Sequence, residues 1–85
     1  MTLSRTYLSD ISIRVLIAVI HIYGKERRVT IRKAAELSGC SVASAHASLV
    51  HLKKHGLVEW QAGLSGTLRP LVSVHTVENL YKENE

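Results

Sequence analysis

Between Thr30 and Gly56 the sequence is punctuated twice in the same way: a hydroxyl residue, a run with apolar residues at helical spacing, then a glycine. Thr30 precedes "IRKAAELS" and Gly39 follows it; Ser41 precedes a run extending to about His55, and Gly56 follows that. Serine and threonine accept N–H bonds at a helix start, and glycine takes the left-handed conformation that ends one. The pattern therefore predicts two helices separated by a tight turn at Gly39. The first is too short to stand alone and must bury Ala34, Ala35 and Leu37 against its neighbours. In the second, Ala45, Leu49 and Leu52 recur at helical spacing and form the inward stripe.

On either side the signals are coarser. Ser9 or Asp10 is placed to cap a helix running to Tyr23, with Gly24 as its stop. Asp10, Arg14, His21 and Lys25 fall on one stripe, with Ile17 and Ala18 between them; nearly everything else is Ile, Val or Leu. Ile13, Leu16, Ile20 and Tyr23 make one apolar face; Ile11, Val15, Ala18 and Ile22 make a second. A small domain covers one such face more easily than two. The second is therefore expected to meet a partner subunit, with Leu80 and Tyr81 of the tail, unless a later helix folds back over it. "GKERRV" reads as a basic loop, and Val29–Ile31 as a short strand at a sheet edge. Leu57–Trp60 and Leu71–Val77 read as strands joined by the glycine-punctuated "QAGLSGTLRP". The tail "TVENLYKENE" can form a short helix. The expected fold is α+β and mostly helical, a single domain over residues 1–85: a three-helix core, a small antiparallel sheet with a β-hairpin, and a short C-terminal helix.

Composition narrows the class. A chain of 85 residues has room for one core. Its single cysteine, Cys40, forms no internal disulfide, and no Cys/His spacing matches structural zinc. A hydrophobic content of 46% excludes a disordered tail, and a net charge of +4 favours a polyanionic partner. The apolar run Val15–Ile20 is too short to span a bilayer, and "MTLSRTYLSD" lacks a secretory pattern, so a cytoplasmic, intracellular protein is expected. No glycine-rich phosphate loop, nucleophile arrangement or carboxylate pair appears; neither an enzyme nor a bound cofactor is expected.

From Val29 to Val74, and above all in "TIRKAAELSGCSVASAHASLVHLKKHGLVEW", the chain resembles the winged helix-turn-helix family. It is most similar to small transcription regulators of the arsenic-repressor and multiple-antibiotic-repressor kind, from bacteria, archaea and their viruses. The resemblance places Ala35 where the two helices meet, Gly39 at the turn, Cys40 at the apolar position after it, and "HGLVEW" at the entry to the wing. It implies a recognition helix over residues 41–55 in the major groove and a wing over 61–70 on the DNA backbone or in the minor groove. It also implies double-stranded DNA as partner, bound by a homodimer on a pseudo-palindromic site.

With Ala45, Leu49 and Leu52 inward, Ser41, Val42, Ala43, Ser44, His46 and Ala47 lie on the exposed N-terminal half of the helix. Ser44 and His46 are the candidates for hydrogen bonds to base edges; Val42, Ala43 and Ala47 suit thymine methyl groups. Thr30 and Ser41 stand at helix N-termini, where phosphates bind. Arg32, Lys33, His51, Lys53 and Lys54 flank the reading face and supply affinity without sequence information. On the wing, Ser65, Gly66, Thr67 and Arg69 are the candidate contacts. This face lacks the Arg, Gln or Asn customary in the family, which points to readout by short side chains and DNA shape.

Plainer readings stand beside these. His51 and His55 have a metal-binding spacing, but nothing matches them in offset, and two imidazoles near a helix C-terminus suit its dipole; no metal is expected. Cys40 reads as a small buried hydrophobe rather than a redox switch. Two alternatives stand beside the regulator: a winged-helix protein-interaction module that joins a larger complex through the apolar first helix, or an architectural protein that binds DNA without sequence preference, which the short side chains of the reading face suit.

Overall fold

A computed structural model of the protein describes residues 9–61 and 66–78. It is mostly helical with a small antiparallel sheet, an α+β arrangement. Helix α1 spans Asp10–Glu26, α2 Ile31–Ser38 and α3 Val42–Lys54; strands β1 (Val58–Glu59) and β2 (Arg69–Pro70) pair with Val58 opposite Pro70 and Glu59 opposite Arg69. A further helical turn covers 74–78.

Each of the three helices opens on a hydroxyl cap to its third residue. Ser9 Oγ accepts from the N–H of Ser12 at 3.2 Å, Thr30 Oγ1 from that of Lys33 at 3.1 Å, and Ser41 Oγ from that of Ser44 at 3.1 Å. Each bond satisfies one of the orphan donors at a helix start, worth about 1 kcal/mol. Ser41→Ala is accordingly expected to lower stability by about 1 kcal/mol, and the melting temperature by roughly 4–8 °C, in a thermal scan followed by circular dichroism.

Helices α2 and α3 also end alike. The Cys40 N–H bonds to the Ala35 carbonyl at 3.0 Å and that of Gly39 to Glu36 at 3.2 Å. The Leu57 N–H bonds to Leu52 and that of Gly56 to Lys53, both at 3.0 Å. Both are Schellman closures, and each needs a left-handed residue: Gly39 has φ 73° and Gly56 φ 74°. Helix α1 departs from expectation. It passes through Gly24 and ends three residues later at Arg27, which itself takes φ 60° and bonds through its N–H to the Tyr23 carbonyl at 3.0 Å. A glycine inside a helix costs only about 1 kcal/mol. The extra turn brings Glu26 to 2.5 Å from Lys33 Nζ of α2, and the Arg27 guanidinium to 5.2 Å from the Tyr23 ring centre.

The core lies where α1 packs against both α2 and α3, closed on one side by the sheet. Leu16, Val15 and Val19 of α1, Ala34 of α2, and Ala45, Leu49 and Leu52 of α3 have no solvent exposure. This corrects the expected partner seam. Val15, Ala18 and Ile22 are 0%, 2% and 7% exposed within the single chain, where α2, α3 and the sheet all pack against α1. Of the four α1 residues assigned to that seam only Ile11, at 40%, stays exposed. Leu80 and Tyr81 lie outside the described residues.

Three other expectations are corrected. Leu37 points outward, 54% exposed, because Ile31, Ala34, Ala35 and Ser38 already occupy the inward ridge of α2; Ser38 is the buried residue, its hydroxyl donating to the Ala34 carbonyl. Residues 29–31 form no strand: Thr30 is committed to its cap, Ile31 is the first residue of α2, and Val29 is buried in the connection. The second strand is Arg69–Pro70 rather than Leu71–Val77. Ser73 instead initiates the turn at 74–78, its carbonyl accepting from the Val77 N–H at 3.1 Å, and this seats Val77 in the core.

Candidate nucleic-acid interface

The outward face of α3 follows from its inward one. With Ala45, Ser48, Leu49 and Leu52 buried, Val42, Ala43, His46, Ala47, Val50, Lys53 and Lys54 are exposed. The residues assigned to base reading thus share one face, though not on equal terms. Val42 is 49% exposed, and Ala43 and Ala47 present only methyl groups. Ser44 is half-buried; the Ser41 hydroxyl both accepts from its N–H and donates to its Oγ at 3.1 Å, leaving the Ser44 proton to donate outward. His46 is exposed, but its ring stands edge-on to Trp60, centroids 5.1 Å apart and planes at 80°. The buried indole thereby limits how the imidazole swings.

Val50 was missed by the sequence reasoning. It is 49% exposed on the strip running through Ala43, His46 and Ala47, and that spacing was the available signal. It adds apolar surface to a face that holds no charged side chain until Lys53 and Lys54. A face of this composition suits contact with methyl groups and sugars more than a dense hydrogen-bond readout.

The cations divide into two groups. Among the described residues no carboxylate pairs with the exposed Arg32, Lys53 or Lys54. Lys33 and Arg69 are already engaged: Lys33 with Glu26, and Arg69 with Glu59, its Nε donating to the carboxylate at 2.5 Å. Both pairs are about half exposed, so an anion competes with the carboxylate at small cost. His51 is half-buried, its ring centre 4.6 Å from that of His55. Lys53 and Lys54 place positive charge at the C-terminal end of α3, where the dipole favours it.

Thr30 is half-buried and its hydroxyl serves the α2 cap. Thr67 likewise faces its own chain: its Oγ1 accepts from the Gln61 N–H at 3.0 Å and donates to the Gln61 carbonyl at 3.2 Å, tying together the two ends of the hairpin tip. Gly66 is exposed at φ 85°, a conformation that glycine takes without strain. Ser65 lies outside the described residues. A groove of about 600 Å³ joins the end of α3 to this region, lined by Lys53, Glu59, Trp60, Gln61, Thr67 and Arg69 among others.

Compared with models of protein families, with curated proteins and with solved structures, the chain matches none. Its own geometry therefore has to support any functional reading. Among the described residues, no three His, Cys, Asp or Glu side chains gather as metal ligands, and no helix is long and apolar enough to cross a membrane. Cys40 is half-buried beside the core, its Sγ 3.6 Å from Ser38 Oγ.

Proposed function

We propose that the protein is a winged-helix DNA-binding transcription regulator. In this reading α3 enters the major groove, the hairpin over 61–70 acts as the wing, and two copies engage a pseudo-palindromic site. The observation that supports it best is the exposed, small-residue face of α3, bounded by Lys53 and Lys54 on the same helix and by Arg32 on the helix packed beside it. Small side chains let a helix sit deep in the groove, while unpaired cations beside it hold phosphates. His46 and the Ser44 hydroxyl supply the hydrogen bonds to bases; Val42, Ala43, Ala47 and Val50 supply the apolar contact. Thr30 and Ser41 act mainly as caps here, so phosphate binding falls to Arg32, Lys53 and Lys54, with Lys33, Arg69 and His51 contributing less. No catalytic role belongs to this reading.

The test is fluorescence anisotropy of a labelled random duplex at two salt concentrations, with unlabelled fragments of the source genome as competitors. Binding that weakens steeply with salt but survives better on one fragment is expected. Salt-sensitive binding with no preferred fragment would convert the reading to an architectural DNA binder. Absence of binding at low salt would remove the DNA reading and leave a protein-interaction module.

The engaged cations give a second check. Glu26→Gln frees Lys33 without altering α2, so a gain in DNA affinity of about threefold is expected in the same titration. Unchanged affinity would place Lys33 away from the bound phosphates.

A further inference from the structure

The outward face of α1 is unused by the core and shares no residue with the candidate DNA interface. Ile17 is 41% exposed there, and beside it on α2 Leu37 is 54% exposed. Between them runs a shallow groove of about 340 Å³, floored by the nearly buried Ala18 and Ser38. Small side chains on the floor leave room that a longer apolar side chain from outside can fill. Arg14 and His21 line the groove one turn to either side of Ile17, about 10 Å apart along the helix. Lys25 stands exposed one turn beyond His21.

The charge around this groove has one sign. No carboxylate lines it, and among the described residues none pairs with Arg14 or Lys25. Of the acids on α1, Glu26 is held by Lys33, and Asp10 sits at the helix start, where the dipole favours it. Glu36 of α2 is about 100° around its helix from Leu37 and stays outside the lining. An unpaired guanidinium and ammonium along an apolar strip match an apolar side chain flanked by carboxylates.

Other occupants fit less well. A second copy of this chain centred on the groove would set Arg14 and His21 against the same basic pair. A small molecule would stay largely in water, because ligand pockets enclose most of their ligand and this groove is open. We propose that the groove receives a helix of another protein, acidic and amphipathic, with an apolar residue seated between Ile17 and Leu37 and carboxylates one turn to either side. None of the lining residues belongs to α3 or the hairpin, so such a partner leaves the outer face of α3 uncovered. The inference therefore stands apart from the DNA reading, and either can fail alone.

The experiment is an NMR titration of the full chain, without DNA, with a synthetic helix-favouring peptide of about 14 residues. Leucines recur along one face of the peptide at helical spacing and glutamates fill the other; a second peptide carries lysine for every glutamate. The glutamate peptide is expected to shift the amide signals around Ile17 and Leu37, with a dissociation constant on the order of 100 μM for so small a contact. The lysine peptide should bind at least about tenfold more weakly. Ile17→Glu should abolish binding, with circular dichroism reporting an intact fold. Arg14→Glu should weaken the glutamate peptide about tenfold and strengthen the lysine peptide, a reversal that damage to the fold cannot produce.

No binding of the glutamate peptide at concentrations on the order of 1 mM would overturn the inference. So would equal binding of the lysine peptide, shifts centred away from Ile17 and Leu37, or indifference to Ile17→Glu. Decanoate occupying the groove more tightly than the peptide would assign it to a small amphiphile instead. A dimer of the free chain that Ile17→Glu disperses would assign it to a second copy, and either result overturns the proposal.

Discussion

Truncating Leu49 to alanine is expected to cost about 3–5 kcal/mol, enough to leave much of the protein unfolded at room temperature. Leu49 is unexposed in the middle of α3 and belongs to the cluster that joins α3 to α1. The lost transfer energy and the cavity left behind both count, because Leu16, Val19 and Leu52 cannot close the space without leaving their own packing. Set against a total of roughly 4–13 kcal/mol for a domain of this size, the loss is decisive. Leu37→Ala removes the same atoms from a side chain 54% exposed and should change stability by no more than about 0.5 kcal/mol. Urea unfolding followed by circular dichroism distinguishes the two. A larger loss at Leu37 than at Leu49 would mean that the inward ridges of α2 and α3 are assigned the wrong way round.

The second large effect concerns DNA. Replacing Arg32, Lys53 and Lys54 together by alanine removes three unpaired cations at exposed positions, so the fold should persist while affinity falls on the order of a hundredfold. The loss should be equal for every sequence, and the slope of log affinity against log salt should flatten by roughly 2–3, near 0.9 for each phosphate released. His46→Ala should behave oppositely, reordering the preference among genomic fragments while leaving the salt slope within error. Competition titrations at several salt concentrations read both. If His46→Ala merely weakened all sequences alike, the division between holding and reading groups would be wrong.

What the sequence disclosed follows from the range of the forces involved. The caps at Ser9, Thr30 and Ser41, and the glycine closures at Gly39 and Gly56, are bonds spanning three to five residues, and local sequence is sufficient for them. Gly24 misleads because a glycine stops a helix only where the chain gains by leaving it, and here Glu26 gains a partner in α2. "LVSVHTV" alternates well enough for a strand, yet Ser73 and the seat for Val77 favour a helical turn, a choice made by tertiary contact. The α1 faces were undecidable locally: their apolarity was plain, but which would be covered from within depended on how α2 and α3 approach. At the interface, composition indicated which side chains face outward on α3. It could not reveal that Lys33 and Arg69 have carboxylate partners, or that His46 rests on Trp60.

That last contact has a practical consequence. Trp60 is the chain's one tryptophan, 6% exposed, with its indole set against His46 and forming a wall of the groove beside Lys53. The protein thereby holds a native fluorophore at the junction between the outer face of α3 and the hairpin. Anything that settles on that face, or draws the imbedded ring into water, alters its emission without a label being attached.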